Sequence, residues 1–247
     1  NLMKCFVTGI FFLLCVMNAV GQTWQKVRDG NSYAVTHAYT TAGYRIYAAV
    51  NEILYVSKDK GESFTPLKTF QGTIQTASSL GDYVVVGVDG YGVHISSDRG
   101  QNWIPVTTGS GTGVPLASLI TSTNIFIGSG ANGVVNRFDK SGGSAYVGLS
   151  DKNETRVLCL AEQGQYIFAG VNRTGAETGK STLYRSSDNG NSWQPLTNTI
   201  RQNVPITALA VSGDQSVIYA VSGQDINGTQ PKDGYVYKST DNGNTWT

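Results

Sequence analysis

The sequence predicts an all-β chain arranged as a β-propeller of four-stranded antiparallel blades, with five blades visible in its 247 residues. Three observations carry that reading. An eight-residue pattern, Ser-x-Asp-x-Gly-x-(Ser/Thr/Asn)-(Trp/Phe), occurs at 57–64, 96–103, 186–193 and 239–246. Between these boxes lie short alternating or β-branched runs bounded by Gly, Asn, Asp and Ser, which read as strands and turns. After residue 21 no window sustains the i, i+3, i+4, i+7 spacing of an amphipathic helix. One flat sheet of about twenty strands would be longer than open sheets tolerate and would expose its edges. Radial repetition of small sheets hides the edges and buries both faces of each blade.

The chain opens on a targeting segment. Met3-Lys4 precedes a mostly apolar run at 5–17, and Ala19-Val20-Gly21 supplies small residues before Gln22. Residues 1–21 therefore read as a signal peptide, since the run is short for a bilayer span of roughly 20 residues. An uncleaved anchor is the alternative. Leu14 stands before Cys15 where a lipoprotein signal wants a small residue. Cys5 and Cys15 fall in this segment, so the remaining chain keeps Cys159 alone, with no internal disulfide and no cysteine metal site. Cys159 lies in an apolar alternating run and reads as a small buried hydrophobe.

Residues 22–28 read as an orphan outer strand, preceded by Gly21-x-Thr23-Trp24, the end of a box. Blades follow at about 32–70, 71–108, 114–150, 154–199 and 203–247. Their strands are expected at 33–39, 45–50, 53–57 and 64–68; at 74–79, 83–88, 92–96 and 103–107; at 116–121, 125–128, 133–137 and 145–149; at 157–161, 166–171, 182–186 and 193–196; and at 206–211, 217–221, 235–239 and from 245. The third blade lacks an intact box. Val134 to Gly143 reads as a decayed copy in which Arg137 takes the Ser place, Asp139 the Asp place and Ser141 the Gly place, with Tyr146 standing late for the Trp. The box aspartates Asp59, Asp98, Asp139, Asp188 and Asp241 are then 39, 41, 49 and 53 residues apart.

Each box spans the hairpin between the third and fourth strands of its blade. Gly61, Gly100, Gly190 and Gly243 can take positive φ where the chain reverses. The Asp carboxylate accepts backbone N–H groups in the turn, and the hydroxyl of Ser57, Ser96, Ser186 or Ser239 adds a second bond. Phe64, Trp103, Trp193 and Trp246 carry large apolar surfaces between elements. The box is thus a structural staple. Asp-Asn-Gly-Asn lacks the alternating acids and terminal Glu of a calcium loop, and no metal is expected. Two residues before the box Ser stand Tyr55, His94, Tyr184 and Tyr237, so His94 occupies a packing column. His37 falls on an innermost strand, facing the channel or packing between blades.

Charge excludes some partners. Charged residues are 14% of the chain, against about 25% in an average globular protein. The net charge is +1 with no basic or acidic block, so nothing favours nucleic acid or an anionic membrane. The stretch Gly109-Ser110-Gly111-Thr112-Gly113 is a connector with no helix after it, hence no phosphate-binding loop. Sequons at Asn153, Asn172 and Asn227 all fall in expected loops.

The boxes resemble the Asp-box (BNR) repeats of the sialidase-like β-propeller superfamily, over residues 22–247. That superfamily includes exo-sialidases, xyloglucan-degrading hydrolases, receptors, photosystem assembly factors and secreted propellers without assigned activity, so the resemblance implies a fold rather than one function. A sialidase would need three arginines around the substrate carboxylate; here the inner strands offer Arg156, beside Glu154, while Arg99, Arg137 and Arg185 lie in or beside boxes. A xyloglucanase-like enzyme would use two carboxylates across a cleft. Asp89, in Val88-Asp89-Gly90-Tyr91-Gly92, resembles the place where such an enzyme keeps one of them, and it also reads as an Asp-Gly turn. Glu154, Asp214, Asp225 and Asp233 are acids without a distinguishing motif. The expectation is a secreted, periplasmic or cell-surface binding or scaffold module for protein or glycan, monomeric, without a cofactor and outside the membrane once the signal is cleaved. A glycoside hydrolase with its site at the channel mouth is the alternative, with Asp89, Glu154 and Arg156 as the catalytic candidates. More blades are expected to follow residue 247, to a total of six to eight; closure of the fifth by residues 24–27 is the other arrangement.

Overall fold

Val, Ile, Tyr, Phe and Thr dominate the runs between turns, and such residues fit a pleated sheet with both faces covered. The computed structural model describes residues 37–39, 45–106, 113–140, 144–149, 155–173, 182–196, 200–201, 204–223 and 234–247. The expected signal peptide, the 22–28 strand, Asp225 and Asp233 lie outside these residues. The described residues form two compact units, divided after Val106, and nineteen strands.

The first unit holds two four-stranded antiparallel sheets. One is β1 (His37–Tyr39), β2 (Ile46–Val50), β3 (Ile53–Ser57) and β4 (Thr65–Thr69); the other is β5 (Ile74–Leu80), β6 (Tyr83–Val88), β7 (Gly92–Ser96) and β8 (Ile104–Val106). Each runs in sequence order, β1-β2-β3-β4 and β5-β6-β7-β8, so every connection within a sheet is a hairpin. The two stack face to face over a shared core. Tyr47, Leu54 and Val56 of the first meet Ile74, Val84, Val86 and Val88 of the second, with Phe70 and Trp103 closing the rim.

The second unit holds three sheets. They are β9 (Pro115–Ile120) to β12 (Ser144–Gly148) through β10 (Asn124–Ser129) and β11 (Val134–Asp139); β13 (Thr155–Gln163), β14 (Tyr166–Arg173), β15 (Leu183–Ser186) and β16 (Gln194–Pro195); and β17 (Ile206–Val211), β18 (Ile218–Ser222) and β19 (Tyr235–Ser239). β13 packs on the sheet before it and β17 on the sheet before that strand in turn, so the three stack in series. One core joins Phe126, Val135 and Leu149 to Val157, Ile167, Tyr184 and Trp193; the next joins Phe168 and Leu183 to Ile206, Leu209, Ile218 and Trp246.

The architecture matches the expected all-β chain of four-stranded antiparallel blades in these sheets. Details differ at the outer strands. The box aromatic precedes its strand rather than starting it, because the turn reaches one residue further: β4 begins at Thr65, β8 at Ile104 and β16 at Gln194. The last sheet has three strands, although Lys238 and Thr247 exchange two backbone hydrogen bonds of 2.8 and 2.9 Å at its outer edge. Asn172, expected in a loop, lies inside β14 and is 1% exposed, which removes it as a glycosylation acceptor in the folded chain.

Candidate functional site

The four intact boxes share one geometry. In each, the Ser hydroxyl donates to the Asp carboxylate, at 2.6 Å in Ser57–Asp59 and 2.8 Å in the other three. The same hydroxyl accepts the N–H of the box glycine at 2.8 Å in all four. The carboxylate also accepts the N–H of Ser63, Asn102, Ser192 or Thr245, and a side-chain donor from that residue. Two consecutive residues take positive φ, from Lys60-Gly61 at 63° and 98° to Asn242-Gly243 at 58° and 79°. The indole N–H of Trp103 and Trp246 donates to the carbonyl of Gly100 and Gly243, at 2.9 and 3.1 Å.

These donors all favour the ionised carboxylate. Hydrogen bonds from Ser192, its backbone and then Ser186 hold Asp188 down to about 2 from an ordinary 3.8, and Thr245 and Ser239 do the same for Asp241. Asn102 and Ser96 hold Asp98 at about 2, and Ser57 and Ser63 drive Asp59 lower still. Because folding lowers these values, the stabilisation is complete above 3.8 and is lost as pH falls towards about 2. The denaturant midpoint of the chain should therefore drop between pH 5 and pH 2. Asp188→Asn should lower it at pH 5 and shrink that drop; a parallel shift of the two curves would disprove the linkage.

The third repeat departs from the expected alignment. Arg137 pairs across from Phe126 as Arg185 pairs across from Phe168. Phe138 therefore holds the place of Ser186, and Asp139 falls one residue short of the Asp188 place. A buried phenyl ring replaces the hydroxyl there, so the decayed box cannot use the shared bonding pattern. Arg137 instead serves the next box, donating from one terminal nitrogen to the Asn189 carbonyl at 2.9 Å and to Asn191 Oδ1 at 2.6 Å. Arg185 repeats this on the Asn242 carbonyl and Asn244 Oδ1, at 2.6 and 2.8 Å. Both arginines thus join neighbouring sheets.

Two staples carry weaker sequence signals. Asp214, in Ser212-Gly213-Asp214-Gln215-Ser216, accepts from Ser212 and Ser216 at 2.5 and 2.8 Å, which hold it at about 2. Gln215 then ties β17–β18 to the sheet before it: its carbonyl accepts from Gln163 Nε2 at 2.9 Å and its Oε1 from the Gly164 N–H at 3.1 Å. Spaced Ser-x-Asp-x-Ser was the available signal. His94 packs edge-on against Phe70, centroids 5.1 Å apart, and burial followed by the Lys68 charge lowers its pKa. Cys159, expected as a small buried hydrophobe, is half-buried; its thiol donates to the Ile206 carbonyl at 3.5 Å, and burial pushes the thiol up to about 12. The His37 side chain lies outside the described residues.

Other candidates sit at the opposite ends of the sheets from the boxes. Asp89 is exposed in the β6–β7 turn, its N–H donating to the Thr73 carbonyl at 2.9 Å. Gly90 at φ 73° reverses the chain, and Tyr91 beside it is 52% exposed. Gly72 passes beneath: a Cβ there would lie 2.5 Å from the Asp89 carbonyl oxygen and 2.8 Å from the Tyr91 ring. In the second unit, Arg156 is half-buried on β13 opposite Asn172. Glu154 lies outside the described residues. At the same kind of sheet end, Arg201 donates to the Tyr235 hydroxyl at 2.7 Å with its guanidinium 5.4 Å from the ring centre. Tyr235 stacks on Tyr237 at 6.1 Å. The sequence did not single out this Arg–Tyr–Tyr group; the aromatic alternation of β19 and a cation in the connector before β17 were the signals available. Among the described residues no group of three His, Cys, Asp or Glu could hold a metal ion, and no helix is long and apolar enough to cross a membrane.

No family model and no curated relative matches the chain. Solved structures do. A GH74 xyloglucanase from Xanthomonas campestris superposes with a TM-score of 0.68 at 15% identity, over 91% of this chain and 40% of its own. A GH74 enzyme from Niastella koreensis gives 0.64 at 19% identity, over 90% and 38%. YCF48 bound to a D1 peptide gives 0.62 at 17% identity, over 92% and 70%. The chain thus spans about two fifths of the GH74 enzymes it matches. At these identities the likeness establishes a fold of the β-propeller type.

Proposed function

We propose that the chain is a secreted module that binds a protein or a glycan at the sheet ends opposite the boxes. The observation that carries this is the division of labour between the two ends. The intact box carboxylates are committed to turn hydrogen bonds, while the other ends present Tyr91 in one unit and the Arg201–Tyr235 pair in the other. Exposed Tyr and Arg together are what ligand surfaces use: flat apolar area with a polar tip, at low entropy cost on ordering. The fold likeness to a protein solved bound to a peptide and to a xyloglucanase is compatible with either ligand class. Screening the purified chain against peptide and plant-glycan arrays should give a ligand whose affinity falls at least tenfold in Tyr91→Ala or Tyr235→Ala. A ligand bound equally by both variants would place the site elsewhere.

A second reading, glycoside hydrolysis, is favoured by Asp89. This carboxylate stands exposed in a turn whose Asp89 and Tyr91 N–H groups donate to the Thr73 and Val88 carbonyls, beside an exposed tyrosine. Release of reducing ends from xyloglucan, abolished by Asp89→Asn with folding intact, would establish it and displace the binding reading.

A further inference from the structure

Turn chemistry places the same reactive dipeptide in two boxes. Asn189-Gly190 and Asn242-Gly243 stand at the left-handed reversal, with Asn φ of 56° and 58° and Gly φ of 75° and 79°. Asn tolerates that region and Gly occupies it freely, so the reversal selects the pair. Asn-Gly is also the dipeptide that cyclises most readily, because glycine has no side chain to keep its nitrogen from the preceding carboxamide carbon. The boxes at Lys60-Gly61 and Arg99-Gly100 carry no such carboxamide. A third pair, Asn132-Gly133, lies in the β10–β11 turn, where the Gly133 N–H donates to the Thr155 carbonyl at 2.7 Å. Asn227-Gly228 lies outside the described residues.

The two boxes guard the reacting nitrogen alike and the reacting carbon differently. Gly190 and Gly243 are buried, and each donates its N–H to the box serine, Ser186 or Ser239, at 2.8 Å. Asn189 and Asn242 are both exposed. Asn189 is tethered: its Nδ2 donates to Asn124 Oδ1 at 2.7 Å, and Asn124 Nδ2 donates to the Phe138 carbonyl at 3.3 Å. Asn124 opens β10, two residues before Phe126, which pairs with Arg137. The same place on β14, two residues before the Phe168 that pairs with Arg185, holds Tyr166. Its ring lies under the Arg185 guanidinium, 4.9 Å from the ring centre, and offers no amide oxygen. Among the described residues the Asn242 carboxamide makes no hydrogen bond; only its main-chain carbonyl is held, by Arg185.

We propose that Asn242 is a site of spontaneous deamidation whose conversion to isoaspartate opens the last box. The Gly243 nitrogen gives its proton to solvent base and bonds to Asn242 Cγ, and the carboxamide nitrogen leaves as ammonia. Water then adds to the succinimide. Where it breaks the bond from the main-chain carbonyl carbon to nitrogen, that carbon becomes a free carboxylate and the chain runs on through the former side chain. The backbone is then one methylene longer inside a turn closed by the Ser239–Gly243 and Asp241–Thr245 bonds. Gly243 also loses its seat against the Phe168 ring, where not even a Cβ fits, at 2.6 Å from Cε1.

The test ages the purified full chain in mildly alkaline buffer and maps deamidation by peptide mass, with isoaspartyl methyltransferase labelling to mark isoaspartate. In the native chain, isoaspartate should accumulate at 242 at least tenfold faster than at 189. In urea the two sites should age alike, because both read Asp-Asn-Gly-Asn. Asn124→Ala removes the tether and should bring the rate at 189 up to that at 242, with the circular dichroism spectrum of the parent retained. Equal native rates at the two sites would overturn the proposal, and that comparison needs no variant. So would a rate at 189 unmoved by Asn124→Ala in the folded chain. The fraction labelled at 242 should also unfold at lower urea than the unaged chain; an equal midpoint would overturn the opening of the box.

Discussion

Replacing Gly190 with alanine is expected to destabilise the second unit by about 2–5 kcal/mol, the sum of two separate costs. Gly190 holds φ at 75°, where a Cβ carries about 1–2 kcal/mol of strain. That Cβ would also lie 2.5 Å from Cε1 of Phe126, a ring with no exposed surface into which to move. Overpacking of this kind costs about 1–3 kcal/mol. Gly164 is the control: it holds φ at 59°, but a Cβ there meets nothing within 4 Å. Gly164→Ala should therefore show the backbone cost alone. Guanidinium unfolding of the two variants measures the difference. A loss at Gly190 no larger than at Gly164 would mean that the ring swings aside and that the box is not clamped between sheets.

Most of the fold was legible because it repeats. A box fixes a hairpin through bonds among its own eight residues, so its consequences are local and survive without knowledge of the neighbours. Strand positions followed from the same periodicity. What the repeat could not disclose was the contact between sheets. Arg137 looked like a decayed serine because the linear pattern offered no reason for a cation; its partners lie more than fifty residues later, at Asn189 and Asn191. Only the pairing of Arg137 with Phe126 shows that it belongs to the Arg185 column. Gln215 and Asp214 were obscure for the same reason, since one of them acts across sheets. The candidate site was less legible than the fold. Asp89 was singled out by resemblance to a hydrolase position, while its Asp-Gly context also read as a turn, and the structure places it in an exposed turn. The Arg201–Tyr235 pair joins a connector to a strand thirty-four positions away, and no short motif encodes it.

Trp193→Ala should cost about 3–5 kcal/mol, the range for deleting a buried aromatic side chain. Trp193 is 6% exposed and sits in one core with Phe126, Val135 and Leu149 of the preceding sheet and Ile167 and Tyr184 of its own. Removing it opens a cavity that two stacked sheets, each held by its own hydrogen bonds, cannot collapse to fill. Two comparisons separate this from a general intolerance of change in the boxes. Phe64 holds the same place in its box but is only half-buried, so Phe64→Ala should cost less. Among the described residues the Trp193 indole N–H has no acceptor, whereas that of Trp246 donates to the Gly243 carbonyl. Trp193→Phe should accordingly be milder than Trp246→Phe, because it gives up packing volume without giving up a hydrogen bond. If urea unfolding instead ranks Phe64→Ala with Trp193→Ala, the aromatic acts mainly within its own turn. In that case the boxes brace single hairpins, and the joining of sheets falls to the arginines.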